Sequence, residues 1–189
     1  MIWTIGHSNH SALRFIDLLR GAGVGCVADV RSIPFSRRNP HFSQKPLAAS
    51  LKDAGIDYWF LGEALGARPK DPACYEGGKA SYARIAATSA FRQAIDALTE
   101  RAAATHIALM CAEKEPLECH RAILVGRALA ERGVELRHIH ADARIEPQAE
   151  LEGRLLHLAK EKVDLLNDRH AALAHAYDRQ GQRMAYGGG

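Results

Sequence analysis

The sequence predicts an α/β fold: a five-stranded, mostly parallel sheet with helices on both faces, Rossmann-like and three-layered, followed by a C-terminal helix. Three observations carry this. Several apolar runs are short and nearly uninterrupted, as strands covered on both faces require; segments of helical spacing separate them; and strand and helix alternate five times along the chain. Such alternation demands parallel strands joined by right-handed crossovers.

Taken in order, Ile2 to Ile5 is the first strand and ends in the polar turn Gly6-His7-Ser8. From Ser11, a candidate N-cap, Leu13, Ile16 and Leu19 share one helical face, with Gly21 as the stop. Val24 to Val30, "VGCVADV", is the second strand, and the proline-marked loop "RSIPFSRRNPHF" follows it. "QKPLAASLKDAG" reads as a helix with proline in its first turn and glycine at its end. Ile56 to Leu61 is the third strand. A long loop containing "ARPKDPACYEGGK" intervenes before helical spacing resumes near Tyr82, and Phe91, Ile95 and Leu98 mark the apolar face of the next helix. Thr105 to Met110 is the fourth strand, a helix runs from about Cys119 to Gly133, and Val134 to Ile139 is the fifth strand. From Gln148 onward the pattern is helical, with Leu151, Leu155, Leu158, Leu165, Leu166 and Leu173 as its apolar positions. The chain thus divides into an α/β domain over 1–145 and a helical extension over 146–189. The extension either packs back on the domain or joins two copies of the chain as a homo-oligomer.

Charged residues make up 25% and the hydrophobic set 47%, the balance of a soluble globular protein. A formal charge of +3 is too mild to demand nucleic acid, although a local basic patch can still bind phosphates. No apolar run is long enough to span a bilayer, so no membrane partner is expected. The cysteines at 26, 74, 111 and 119 include no C-x-x-C pair, and "MIWTIGHSNH" is a strand and turn rather than a signal peptide; both point to a reducing cytoplasm.

In a parallel sheet of this kind, ligands sit beyond the carboxyl ends of the strands, where the winding reverses. This gathers Gly6-His7-Ser8, Asp29 to Ser32 and Cys111 to Glu113 onto one rim. With a strand order of 3-2-1-4-5, strands one and four are neighbours and His7 and Cys111 face a common crevice. The densest constellation is Cys119-His120-Arg121, at a helix start whose free N–H groups attract anions and lower a thiol pKa. Cys119 or Cys111 is a candidate nucleophile, and His120 and His7 are candidates for proton transfer or orientation. Arg121 and Arg31 are expected to fork onto an anion. The competing readings are a packed thiol, and an Arg121 paired with Glu113 or Glu118. Ser8 offers a hydroxyl or caps a turn, and Asp29 is read as the partner holding Arg31. Arg31, Arg37 and Arg38 interleave with Phe35, His41 and Phe42, the composition that grips phosphates and stacks on bases. Alternatively, Phe35 and Phe42 anchor the loop and the arginines are solvated.

Two familiar motifs fail on spacing. A tyrosine-phosphatase loop needs arginine six positions after its cysteine, where Leu117 and Val125 stand instead, and "GAGVGC" joins a helix to a strand rather than the reverse. Zinc would accept His7, Cys111, Glu113, Cys119 and His120, but Cys119 and His120 are adjacent on a helix and would point apart. Metal binding is therefore the minority reading, no metal ligand is assigned, and the cofactor is left open.

Together these residues resemble the bacterial and archaeal family DUF488, whose function is unknown. The matching stretches are "TIGHS" at 4–8, "DVRSIPFSRR" at 29–38, "PHF" at 40–42, "FLGEALGARP" at 60–69 and "LMCAEKEPLECHR" at 109–121, with "HI" at 138–139 and "LEGRLL" at 151–156. The resemblance implies a compact α/β domain. It puts the family's characteristic positions on His7, Ser8, Asp29, Arg31, Pro34, Ser36, Phe42, Cys111, Glu113, Cys119, His120 and Arg121. "GEALGARP" departs from a "LGG" turn more usual in the family.

The functional expectation is a rim that binds a phosphate-bearing ligand, a nucleotide or nucleic acid, with a Cys/His/Arg site that acts on it. Two alternatives stand beside it: a non-catalytic module for single-stranded nucleic acid, and a scaffold that assembles through its C-terminal helix.

Overall fold

The computed structural model describes residues 1–161 and 168–187; Leu165 and Leu166 lie outside the described residues. The chain forms a three-layer α/β structure around a six-stranded sheet in the order β3-β2-β6-β1-β7-β8. Its strands are β1 (Ile2–Gly6), β2 (Cys26–Asp29), β3 (Asp57–Phe60), β6 (Ile107–Cys111), β7 (Leu136–Ile139) and β8 (Ile145–Pro147); β4 (Tyr75–Glu76) and β5 (Lys79–Ala80) make a separate hairpin. All pairings in the large sheet are parallel except β7 with β8.

Two expectations are corrected. The fourth sequence-predicted strand, β6, inserts between strands one and two, so the order is 3-2-4-1-5 in the sequence numbering rather than 3-2-1-4-5. Strands one and four are nonetheless neighbours, with Ile2 opposite Ile107 and Gly6 opposite Cys111. The sheet also gains a sixth strand, β8, a short antiparallel edge that is too small and too charged to show in hydrophobic periodicity.

Alternate residues of each central strand feed different cores, as the two-residue period of a strand dictates. Trp3, Ile5, Val27, Ala108 and Met110 pack with Phe15, Leu18 and Leu19 of α1 (Ala12–Gly21) and with Leu47 and Leu51 of α2 (Gln44–Asp53). On the opposite face Ile2, Cys26, Ala28, Ile107, Leu109 and Cys111 pack with Phe91, Ile95 and Leu98 of α5 (Ser89–Arg101). Leu124, Val125 and Leu129 of the 121–130 helical segment join this second core. Ser11 caps the first helix as the sequence suggests, its Oγ accepting from Arg14 N, and Thr88 Oγ1 caps α5 by accepting from Phe91 N. The left-handed residue that closes α1 is Gly23 rather than Gly21.

The connection leaving β1 crosses one face toward β2, and the connection leaving β6 crosses the other face toward β7. The crossing directions therefore reverse between these adjacent central strands, the place where such sheets form a crevice at their carboxyl ends.

The segments between β3 and β6 hold α3 (Gly62–Leu65), the β4–β5 hairpin and α4 (Tyr82–Ala87). Near the C-terminus, α7 (Gln148–Ala159) and α8 (Arg169–Met184) form a third core in which Leu151, Leu155, Ala172, Ala176 and Tyr177 pack on Leu117, Ala122 and Ile123. The helical segment after β6 is wound as a π-helix over Arg121–Gly126 before α6 (Arg127–Ala130).

Candidate functional site

The loops leaving β1, β2 and β6 meet at the carboxyl end of the sheet. The β1 ladder continues past the strand, with His7 N donating to Cys111 O at 2.8 Å and Ser8 N to Ala112 O at 2.9 Å. Gly6 makes this possible: a Cβ there would stand 1.8 Å from the Glu113 carbonyl oxygen, so only glycine lets the loop after β6 lie flat on the first strand.

That loop brings four chemically active side chains together. The donor atoms of Cys111, Glu113, Cys119 and His120 all lie within 4.8 Å of one another. Each sulfur is 2.9 Å from Oε2 of Glu113, and His120 Nδ1 is 3.7 Å from the Cys111 sulfur and 4.0 Å from that of Cys119. Cys111, Cys119 and His120 are buried; Glu113 is the exposed member, its carboxylate folded back onto the sulfurs.

The backbone explains the convergence and corrects the expectation that Cys119 and His120 diverge. Pro116–Glu118 form a 3-10 turn, and Cys119 is extended, with φ −139° and ψ 137°. Its carbonyl accepts the first helical hydrogen bonds from Ala122 and Ile123, so Cys119 is the cap of the helix and not part of it. His120 begins the helix. The change of conformation between the two residues turns both side chains toward Cys111.

The electrostatics of the cluster centre on one negative charge. Burial opposes ionisation of Cys119, but the Cys111 hydrogen bond, Arg121 and His120 outweigh it and hold this thiol well below its ordinary value. Burial and the neighbouring Cys119 sulfur push Cys111 well up. Burial would lower His120, yet the Cys119 sulfur more than compensates and raises it. Burial, and after it Cys119, raises Glu113. His120 Nε2 lies 2.9 Å from the Val30 carbonyl; it donates there, leaving Nδ1 facing the sulfurs.

The guanidinium groups expected to hold an anion face inward. Arg31 grips Asp29 with Nε on Oδ1 at 2.9 Å and Nη2 on Oδ2 at 2.7 Å, and it also donates to the Phe42 carbonyl at 2.8 Å. Tyr58 Oη donates to Asp29 Oδ2, so this 0% exposed carboxylate is fully engaged. Arg121, 1% exposed, donates to the carbonyls of Glu113 at 2.6 Å and Lys114 at 3.1 Å, and so pins the loop. The competing reading, Arg121 paired with a Glu113 or Glu118 side chain, is not what the structure shows either: the guanidinium meets these two carbonyls.

His7 stacks on Phe42 at 4.3 Å; its Nδ1 lies 2.9 Å from the Ser8 carbonyl and its Nε2 3.2 Å from Arg31. Burial, supported by the Arg31 charge, lowers His7 to about 4, so it is a neutral brace at neutral pH. Ser8 adopts the left-handed region, φ 47°, and its hydroxyl turns to Asn9. The aromatic-arginine loop divides: Phe42 is buried, whereas Phe35 is 67% exposed and Arg37 and Arg38 are both exposed.

A family model described as "Domain of unknown function DUF488" matches residues 11–128, more than half of the chain. The chain belongs to this family. No curated protein and no solved structure matches it. All four cluster residues of this DUF488 protein lie within the matched span.

Sequence reasoning missed two contributors. The Val30 carbonyl that orients His120 is a backbone group, and no residue type announces it. Tyr82 is the other: burial raises its phenol, and Cys119, Cys111 and Glu113 add to that shift, so the ring lies within electrostatic reach of the cluster. Tyr82 also lines a groove with Glu76, Arg127, Tyr177 and Gly181, and a second groove runs past Leu117, Arg154 and His157. Neither groove is lined by a cluster residue. Among the described residues no helix is long and apolar enough to cross a membrane.

Proposed function

We propose that the carboxyl rim of this DUF488 protein binds a phosphate-bearing ligand, a nucleotide or a nucleic-acid strand, and presents it to the Cys111–Glu113–Cys119–His120 cluster, which acts on it. One observation carries the reading. The loop bearing exposed Phe35, Arg37 and Arg38 begins at Val30, the residue whose carbonyl anchors His120. An aromatic side chain and two cations, with no ion-pair partner among the described residues, are therefore carried by the loop that leaves the strand end holding the His120 imidazole. Arginine neutralises phosphate, and a phenylalanine face accepts a base by stacking. Arg31 and Arg121 act in this reading as internal braces, with Arg37 and Arg38 as the phosphate contacts.

A scaffold that assembles through the C-terminal helix has less support, because α8 buries Ala172, Ala176 and Tyr177 against its own chain. The test is fluorescence anisotropy with labelled mononucleotide and labelled single-stranded oligonucleotide across a salt series. Binding at low salt is expected, with Arg37→Ala/Arg38→Ala weakening it at least tenfold. If the oligonucleotide is the ligand, the double variant also lowers the slope of log K against log salt by about 1.4, two phosphates' worth for a single strand. Failure of both probes to bind at low salt, or equal binding by the double variant, overturns the reading.

A further inference from the structure

The four donors of the cluster are more than a reactive thiol with its base. We infer that Cys111, Cys119 and His120 hold a thiophilic divalent cation of the zinc type, with the Glu113 carboxylate as a displaceable fourth ligand.

The donor set is the first support. Two sulfurs, an imidazole nitrogen and a carboxylate oxygen match the ligands zinc takes in four-coordinate sites. Geometry is the second. With metal–sulfur bonds of about 2.3 Å and metal–nitrogen bonds of about 2.0–2.1 Å, tetrahedral sulfur and nitrogen ligands stand about 3.6 Å apart. His120 Nδ1 is 3.7 Å from one sulfur and 4.0 Å from the other. Oε2 of Glu113, at 2.9 Å from each sulfur, sits closer than such an edge, so it must swing outward on binding. Glu113 is the exposed member, free to make that movement and to give way to water or substrate.

Orientation of the imidazole is the third support. A metal-bound histidine commonly donates its second ring N–H to a backbone carbonyl or carboxylate, which fixes the tautomer. Here Nε2 is held by the Val30 carbonyl and the lone pair of Nδ1 is turned onto the sulfurs.

Charge gives a fourth, independent argument. Arg121 is 1% exposed and, among the described residues, donates only to two backbone carbonyls, while its Nε has no partner. A buried guanidinium held only by carbonyls is costly unless a nearby negative charge balances it. Two thiolates and a carboxylate on a divalent cation carry one net negative charge, which Arg121, bonded to the carbonyl of Glu113 itself, is placed to balance.

The inference takes the same four side chains that the proposed function uses but does not require its ligand, and the experiment separates the two. The reduced, chelator-treated full chain is titrated with Co2+ and then Zn2+, following the sulfur-to-cobalt charge-transfer absorption in the near ultraviolet and the thermal midpoint. One equivalent is expected to bind, with the absorption band present, the midpoint raised, and zinc displacing cobalt. Cys111→Ser and Cys119→Ser should each lower affinity at least a hundredfold, Glu113→Gln about tenfold. Arg37→Ala/Arg38→Ala should bind metal as the parent chain does, whatever becomes of its nucleotide binding. Because the cysteine variants can misfold, the parent chain is decisive by itself: no stoichiometric binding at micromolar metal, or bound cobalt without the sulfur band, overturns the inference. So does full affinity in a folded Cys111→Ser/Cys119→Ser chain.

Discussion

Asp29 is where the rim keeps its shape. Its carboxylate, 0% exposed, accepts two side-chain bonds and a backbone bond from Arg31 and a hydroxyl bond from Tyr58, and Arg31 in turn ties the Phe42 carbonyl and His7 to the same point. Breaking such a buried pair from one side leaves a charged group without its partner and typically costs about 3–5 kcal/mol. Asp29→Asn should therefore lower the urea midpoint sharply; a loss below about 1 kcal/mol would mean that Arg31 finds another partner. The role of Asp29 was legible in the sequence, because Asp29 and Arg31 stand two positions apart at a strand end. The inward turn of Arg121 was not: its partners are backbone carbonyls of the loop it closes, and these exist only once Gly6 has let that loop lie down.

At the scale of elements, β1, β7 and α7 are stitched by a polar chain through the third core. Thr4 Oγ1 donates to His138 Nδ1 at 2.8 Å, His138 Nε2 donates to Gln148 Oε1 at 2.9 Å, and Gln148 Nε2 donates to Tyr177 Oη at 2.8 Å. Burial, with Arg121 among the opposing charges, lowers His138 from 6.5 to about 3. The unfolded chain therefore takes up a proton near pH 6.5 that the native chain refuses until about pH 3. Stability from this group is complete above pH 6.5 and falls as pH drops toward 3, by about 1.4 kcal/mol per pH unit. Urea unfolding at pH 7, 5.5 and 4.5 should show a shallower loss for His138→Asn than for the parent chain; parallel losses would refute it. The apolar strands and capped helices were readable because period and punctuation are local. Strand order was not, since the insertion of β6 between β1 and β2 depends on packing between segments distant in sequence. The convergence of Cys119 with His120 was hidden for a related reason: a helical start was assumed where a 3-10 turn and an extended cap precede the π-helix.

For the whole molecule, α8 is part of the architecture that supports the cluster. It packs on α7 and on the helical segment after β6, and Gln180 Nε2 donates to the Leu117 carbonyl inside the loop between Glu113 and Cys119. Ending the chain at residue 161 would expose Leu151, Leu155 and Ile123, each worth about 1.5–3 kcal/mol when buried. The truncated protein is expected to lose cooperative unfolding in calorimetry; a sharp transition near that of the parent chain would show that α8 is dispensable. Cys111 ends β6, the one strand bordered by both β1 and β2, whose five residues are all buried. Amides of such a strand exchange with solvent only when the sheet itself opens. The first sulfur is thus rooted in a fully buried strand while Glu113 belongs to the exposed loop beyond it, so the carboxylate is able to swing on its own fast clock without disturbing the platform beneath it.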